Sequence, residues 1–335
     1  MSANGEPLFE AFLNKHDDGA WSEVIRKLLP SIHEVDKTAT QIWFYFYPLA
    51  LLRALQQAED PQALIRKLAL QGKYYLKDQI DSSHEFIYGT RYWPQVKAAL
   101  TEYAASASGP SSLDLATQIR ELAQMVASRI KMDDSLLVGI TAVAFMTLQQ
   151  VGAARFKAAP GTIRKLPSKF PEQILKMRAK DDGQGILGFL KGEDKVYTVT
   201  FDESDANAKF KLINSQHLTT AAAHDKRDYH SRDPRCVVGE GPIPIECRTA
   251  ACGTCWVGVL GGGDKLSDVA SLEWRRIKEF GYIYTDEPKP VIRLSCQAQA
   301  SGAVSIVIPP WNGIFGRYLQ GYKSLLEETE VESER

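Results

Sequence analysis

The residues best suited to chemistry are the cysteines. The chain has 335 residues and 5 cysteines, all of which lie between Cys236 and Cys296. Three of them form the run Cys247-Arg-Thr-Ala-Ala-Cys252-Gly-Thr-Cys255, a C-x4-C-x2-C spacing, and Cys296 follows much later in VIRLSCQAQ. An odd and small number of cysteines in a chain this long does not make a disulfide scaffold; clustered cysteines point instead to metal ligation or redox chemistry. Four thiolates are what a two-iron cluster needs, two on each tetrahedral iron. Three ligands in one tight loop would wrap such a cluster, and one distant ligand would tie the loop to a sheet. Ala250, Ala251, Gly253 and Thr254 are small, which lets backbone N–H groups approach sulfur and stabilise added negative charge.

Other metal sites fit the spacing less well. Zinc sites show paired C-x2-C units, or C-x2-C with spaced histidines, and here a single C-x2-C occurs with no histidine beside Cys296. Rieske centres need two histidine ligands, and bacterial [4Fe–4S] sites favour C-x2-C-x2-C-x3-C-P. The expected cofactor is one [2Fe–2S] cluster, with zinc as the alternative.

Around this motif the text reads IPIECRTAACGTCWVGVL, then a glycine-rich turn and LSD, then RLSCQAQ. Residues 193–310 thereby resemble the plant-type [2Fe–2S] ferredoxin domain. The resemblance implies a β-grasp fold, Cys247, Cys252, Cys255 and Cys296 as the cluster ligands, and one-electron transfer at low potential. It covers about a third of the chain, and residues 1–155 resemble no family. His224–Gly241 is longer than the family's step into the cluster loop, which makes it a flap near the cluster or a surface loop. The segment between Cys255 and Cys296 is also extended. Basic and acidic residues are nearly balanced in this region, whereas many ferredoxins of this type are strongly acidic and steer towards basic partners. Cys236 lies outside the ligand spacing; it is either a thiol without a role or a redox-sensitive one. Gly261–Gly263 lacks a phosphate-loop fingerprint and reads as a turn after a strand.

The elements that must hold this loop have period two. Lys195–Phe201 and Lys209–Ile213 alternate around the polar DESDANA turn and predict a hairpin. A short helix is expected over His217–Arg227, with Leu218, Ala221 and Ala222 inward. Strands are expected at Trp256–Leu260, Val291–Leu294 and Val304–Ile308. Between the first two lies a helix over Asp268–Phe280, its inner side formed by Val269, Leu272, Ile277 and Phe280.

The first half reads as helix. Thr38–Gln57 is helical with a break at Pro48. Asp60-Pro61 starts a helix that Gly72 would stop. Ser112–Lys131 carries Leu115, Ile119, Leu122, Val126 and Ile130 on one face, and Asp134–Gln150 is apolar nearly all round and belongs at the centre of a bundle. The stretch DSSHEFIYGTRYW is crowded with aromatics. His84 there is either a ligand in a pocket or a hydrogen-bonded or solvated histidine in a helix connection; without spaced partners it is a weak metal signal. From 156 to 192, Pro160, Pro167 and Pro171 interrupt a basic stretch with one short helix at Glu172–Arg178, followed by Gly183, Gly185, Gly188 and Gly192. It is a solvated connector or a strap. Beyond 310, Trp311, Ile314, Phe315 and Tyr318 form a strap or a partner-binding segment ahead of an acidic end.

The fold class is therefore α+β: an all-α domain over 1–155, a linker over 156–192, a β-grasp ferredoxin-like domain over 193–310 and a tail over 311–335. Forty basic and 41 acidic residues nearly cancel, which argues against a general nucleic-acid binder. No run reaches the ~20 apolar residues that span a bilayer. MSANGEPLFEAF lacks the pattern of a secretory signal, so a cytoplasmic location is expected. There is no dinucleotide or flavin fingerprint, no second cysteine cluster and no nucleophile triad. The expected function is electron transfer, as a carrier or as a subunit of a larger redox complex, with redox protein partners chosen by the helical half. The alternatives are a redox-responsive binding module and an enzyme with a site near His84.

Overall fold

The computed structural model describes residues 8–106, 113–164, 166, 169–179, 195–280 and 288–313. It mixes helix and sheet, as expected for α+β. The chain divides into two compact units. One takes the described residues up to Leu49 together with Tyr75–Leu175. The other takes Ala50–Tyr74 and the described residues from Lys176 onward.

The helices are α1 (Leu8–Leu13), α2 (Asp18–Leu28), α3 (Glu34–Phe46), α4 (Leu49–Gln57), α5 (Pro61–Lys67), α6 (Trp93–Ser106), α7 (Leu115–Ile130), α8 (Ser135–Val151), α9 (Ala153–Ala158), α10 (Pro171–Ala179), α11 (Leu218–Ala222) and α12 (Ser271–Phe280). Their ends follow local chemistry. Asp17, Asp60 and Asp114 each accept a backbone N–H of the turn they precede, at 2.8, 2.9 and 3.0 Å. Each such cap stabilises its helix by about 1 kcal/mol. The break expected at Pro48 falls between α3 and α4. In the first unit α8 is buried from Leu136 to Gln149, and α3, α6, α7 and α9 pack around it. An apolar helix without a polar face is stable only where other helices cover every side.

The stop expected at Gly72 comes earlier. α5 ends at Lys67, and Ala69 takes the left-handed turn at φ 49°. Gly72 instead opens a close backbone approach. Its φ is 76°, and a Cβ there would lie 2.5 Å from the Pro310 carbonyl oxygen.

The strands are β1 (Gln71–Gly72), β2 (Val196–Thr200), β3 (Lys209–Ile213), β4 (Gln216–His217), β5 (Trp256–Gly261), β6 (Ile292–Leu294), β7 (Gln299–Ala300), β8 (Val304–Val307) and β9 (Trp311–Asn312). Five form one sheet in the order β3-β2-β8-β5-β6. β2 and β8 run parallel, and the other pairings are antiparallel. The hairpin expected across DESDANA is the β2–β3 pair. α11 packs against β3 and buries Leu218, Ala221 and Ala222 as expected, although it is shorter than His217–Arg227. β4 pairs with β7, and β1 with β9. This last ladder gives Ala50–Tyr74 a place in the second unit, whereas the sequence put it with the helical half. Trp311 is buried there; Ile314, Phe315 and Tyr318 lie outside the described residues. So do Pro167, Gly183, Gly185, Gly188 and Gly192 of the linker.

One helix face differs from its expectation. On α12, Ile277 is buried, but Leu272 is 39% exposed and the residue turned fully inward is Glu273. The side chain of Phe280 is outside the described set. The polar Glu273 displaces an apolar neighbour from the core because Arg293 of β6 waits there to pair with it.

Candidate metal centre

The ladder between β5 and β6 sets half of the cysteine arrangement. Trp256 faces Leu294 in register, and one step beyond that pair the Ser295 N–H donates to the Cys255 carbonyl at 3.0 Å. The chain then turns at once: the N–H groups of Gln297 and Ala298 both donate to the Leu294 carbonyl. Cys255 and Cys296 are thereby brought side by side at the end of the sheet, both buried. Their thiols hydrogen-bond to each other. That bond, more than burial, raises Cys255 well above the ordinary thiol range. The same bond, against the effect of burial, holds Cys296 down at about 6, with help from the Gln297 amide.

The loop supplies the other half. Arg248, Ala250 and Gly253 have φ of 56°, 59° and 67°. Left-handed residues interleaved with right-handed or extended ones curl a chain so that successive N–H groups converge on one point, the geometry of an anion nest. Here that point is Cys247 Sγ, which accepts from Ala251 N at 3.2 Å and Thr249 N at 3.4 Å. Burial pushes the Cys247 thiol up, but these donors and the Cys252 thiol outweigh it and draw it down to about 7. Burial dominates at Cys252, whose thiol is raised.

The four predicted ligands thus meet as two sulfur pairs, Cys247 with Cys252 and Cys255 with Cys296. All are free thiols. Among the described residues no group of three or more His, Cys, Asp or Glu side chains is placed to hold one metal ion. A two-iron centre needs two thiolates at each iron, so the donor set fits it.

The pairs differ in exposure. Cys247 and Cys252 are half-buried, and Arg248, Thr249 and Ala251 between them are exposed. This rim is the solvent edge of the site. Arg248 forms an ion pair with Glu240, tying the loop to the segment before it. Glu240 closes a turn on the Val237 carbonyl, and Val238 stands 76% exposed at its tip. Gly241 anchors the turn: at φ 84° it lies so close to the Ala222 carbonyl that a Cβ would overlap the oxygen. The extended His224–Gly241 segment is therefore attached to the cysteine loop.

Cys236 lies apart from the four. It is buried, donates to the Pro242 carbonyl at 3.3 Å, and is pushed up to about 11, chiefly by burial. It is a protonated thiol at neutral pH. Gly261 ends β5 and leads into a turn at Gly263–Lys265, as the sequence suggested.

In the helical unit His84 is fully buried. Its Nδ1 lies 2.8 Å from Thr90 Oγ1, and its ring packs at a tilt against Trp93 with centroids 4.0 Å apart. Burial lowers it from 6.5 to about 3. Tyr88, Tyr92 and Trp93 are buried around it. Asp36, which the sequence did not single out, accepts the N–H groups of Tyr88 and Gly89 at 2.7 and 2.8 Å. This cluster is a polar-braced core.

Sequence reading also missed the pair behind Cys296. Glu273 and Arg293 are both fully buried and bonded twice, at 3.0 and 2.9 Å. No protein-family model, curated protein or solved structure matches the chain. No helix among the described residues is long and apolar enough to cross a membrane.

Proposed function

We propose that the chain is a [2Fe–2S] electron-transfer protein, a carrier or a subunit of a redox assembly, and that residues 193–310 form a β-grasp domain. The sheet order and the parallel β2–β8 pair support that fold: in sequence order the five strands stand 2-1-5-3-4, with a short helix packed after the first hairpin. The single observation that carries the function is the arrangement of Cys247 with Cys252 and of Cys255 with Cys296 in two pairs.

When bound, a [2Fe–2S] centre takes up and returns one electron. The chain's part is to hold and to tune. Cys255 and Cys296 are fixed by the β5–β6 ladder, which excludes water from that side. Cys247 and Cys252 would hold the other iron at the solvent edge, where a partner protein can approach. The N–H groups of Thr249 and Ala251 are set, before any electron arrives, to stabilise negative charge on Cys247 sulfur. Free thiols of this kind suit a reducing, cytoplasmic compartment. The exchange partner in this reading is another redox protein. A net charge of −1 leaves little long-range steering, so the encounter rate should depend weakly on ionic strength.

The test is EPR of anaerobically prepared, dithionite-reduced protein. A rhombic half-integer-spin signal of the [2Fe–2S] type is expected. A sample that holds metal yet is silent before and after reduction would refute the reading.

A further inference from the structure

The buried pair Glu273–Arg293 lies outside the four ligands, yet it is built into the strand that carries one of them. Glu273 Oε1 accepts from Arg293 Nε at 3.0 Å and from the Leu294 N–H at 2.9 Å, and Oε2 accepts from the remaining fork nitrogen at 2.9 Å. The other terminal nitrogen of Arg293 donates to the Ser267 carbonyl at 2.8 Å. Both side chains are shielded from solvent, at 0% and 1% exposure. A buried ion pair is seldom kept for stability, because apolar residues of similar volume do as well or better. Its orientation suggests another use. The carboxylate grips the backbone two residues before Cys296, whereas the guanidinium reaches back towards Ser267. The carboxylate, not the guanidinium, is therefore the charge bonded to the strand's backbone beside the ligand.

We propose that Glu273 and Arg293 are positioning residues that fix the strand bearing Cys296 and hold the reduction potential of the centre down. This rests on the electron-transfer reading above. An electron arriving at the centre adds negative charge to a site braced by a buried carboxylate that water cannot screen.

The experiment is an EPR-monitored potentiometric titration of the full-length, reconstituted chain, with iron and sulfide assayed in every sample. Glu273→Gln is expected to raise the one-electron equilibrium constant about tenfold or more, which is roughly 59 mV. Glu273→Asp, which keeps the charge, should return towards the wild-type potential. If Glu273→Gln does not fold, the apolar double variant Glu273→Leu/Arg293→Met serves, since it leaves no unpaired charge; it too should shift the potential upward. Wild-type potentials in the loaded Gln and double variants would overturn the proposal while leaving the electron-transfer reading intact. A wild-type chain that takes up no iron and sulfide would overturn that reading and this one with it.

Discussion

A buried neutral imidazole makes a quantitative demand on pH. His84 is fully buried, and its pKa falls from 6.5 to about 3 because burial penalises the charged ring. In the unfolded chain it takes up a proton near 6.5; in the folded one it stays neutral to about 3. Between those values the unfolded state binds more protons, so stability falls as pH falls. Above 6.5 there is no effect. Below it the loss grows by about 1.4 kcal/mol per pH unit, reaching roughly 3 kcal/mol near pH 4.5 and levelling at roughly 5 kcal/mol below pH 3. Carboxylates titrate in the same range, so the measurement is a difference between wild type and His84→Gln. Native-state hydrogen exchange of the amides in Tyr88–Tyr92 reads the opening free energy of this unit alone. The wild-type value minus the variant value should be flat above pH 6.5 and decline with the stated slope below it. Parallel profiles would refute the argument and reopen His84 as a group available near neutrality for ligation or proton transfer.

Three further perturbations probe other contacts. Cys236→Ser should leave the visible absorption of the reconstituted protein unchanged, whereas serine at Cys247, Cys252, Cys255 or Cys296 should abolish or strongly alter it, as read by absorbance per chain. Gly241→Ala should destabilise the second unit by at least about 1 kcal/mol from its left-handed backbone alone, with more from the overlap with Ala222, as read by thermal melting. Arg178→Ala leaves the nearly buried Glu203 without its bidentate partner and should cost on the order of 3–5 kcal/mol in chemical denaturation, while Glu203→Gln, which keeps an acceptor and removes the charge, should cost less.

Features set by neighbouring residues were legible in the sequence. The Asp60-Pro61 start, the break at Pro48, the unbroken apolar face of α8 and the β2–β3 hairpin all follow from short-range periodicity and capping. The spacing of Cys247, Cys252 and Cys255 was equally plain, and the loop between them turns through left-handed residues as a tight wrap requires. What was hidden depends on partners distant in the chain. Gln71–Gly72 reads as a helix stop until Trp311–Asn312 pairs with it. Asp36 looks like a solvent-facing acid in a first helical turn, yet two N–H groups some fifty residues later claim it. Glu273 sits at a position that amphipathic patterning assigns to water, while Leu272 beside it looks like core; the fork of Arg293 reverses the two. A period of 3.6 records how often apolar residues recur, and it carries no information about a charge waiting on another strand.

The most direct check of the central claim is iron and acid-labile sulfide analysis of the anaerobically purified full-length chain. About two of each per chain are expected, lost together in Cys296→Ser and kept in Cys236→Ser. Stoichiometric zinc, or thiols that bind neither iron nor sulfide, would contradict it.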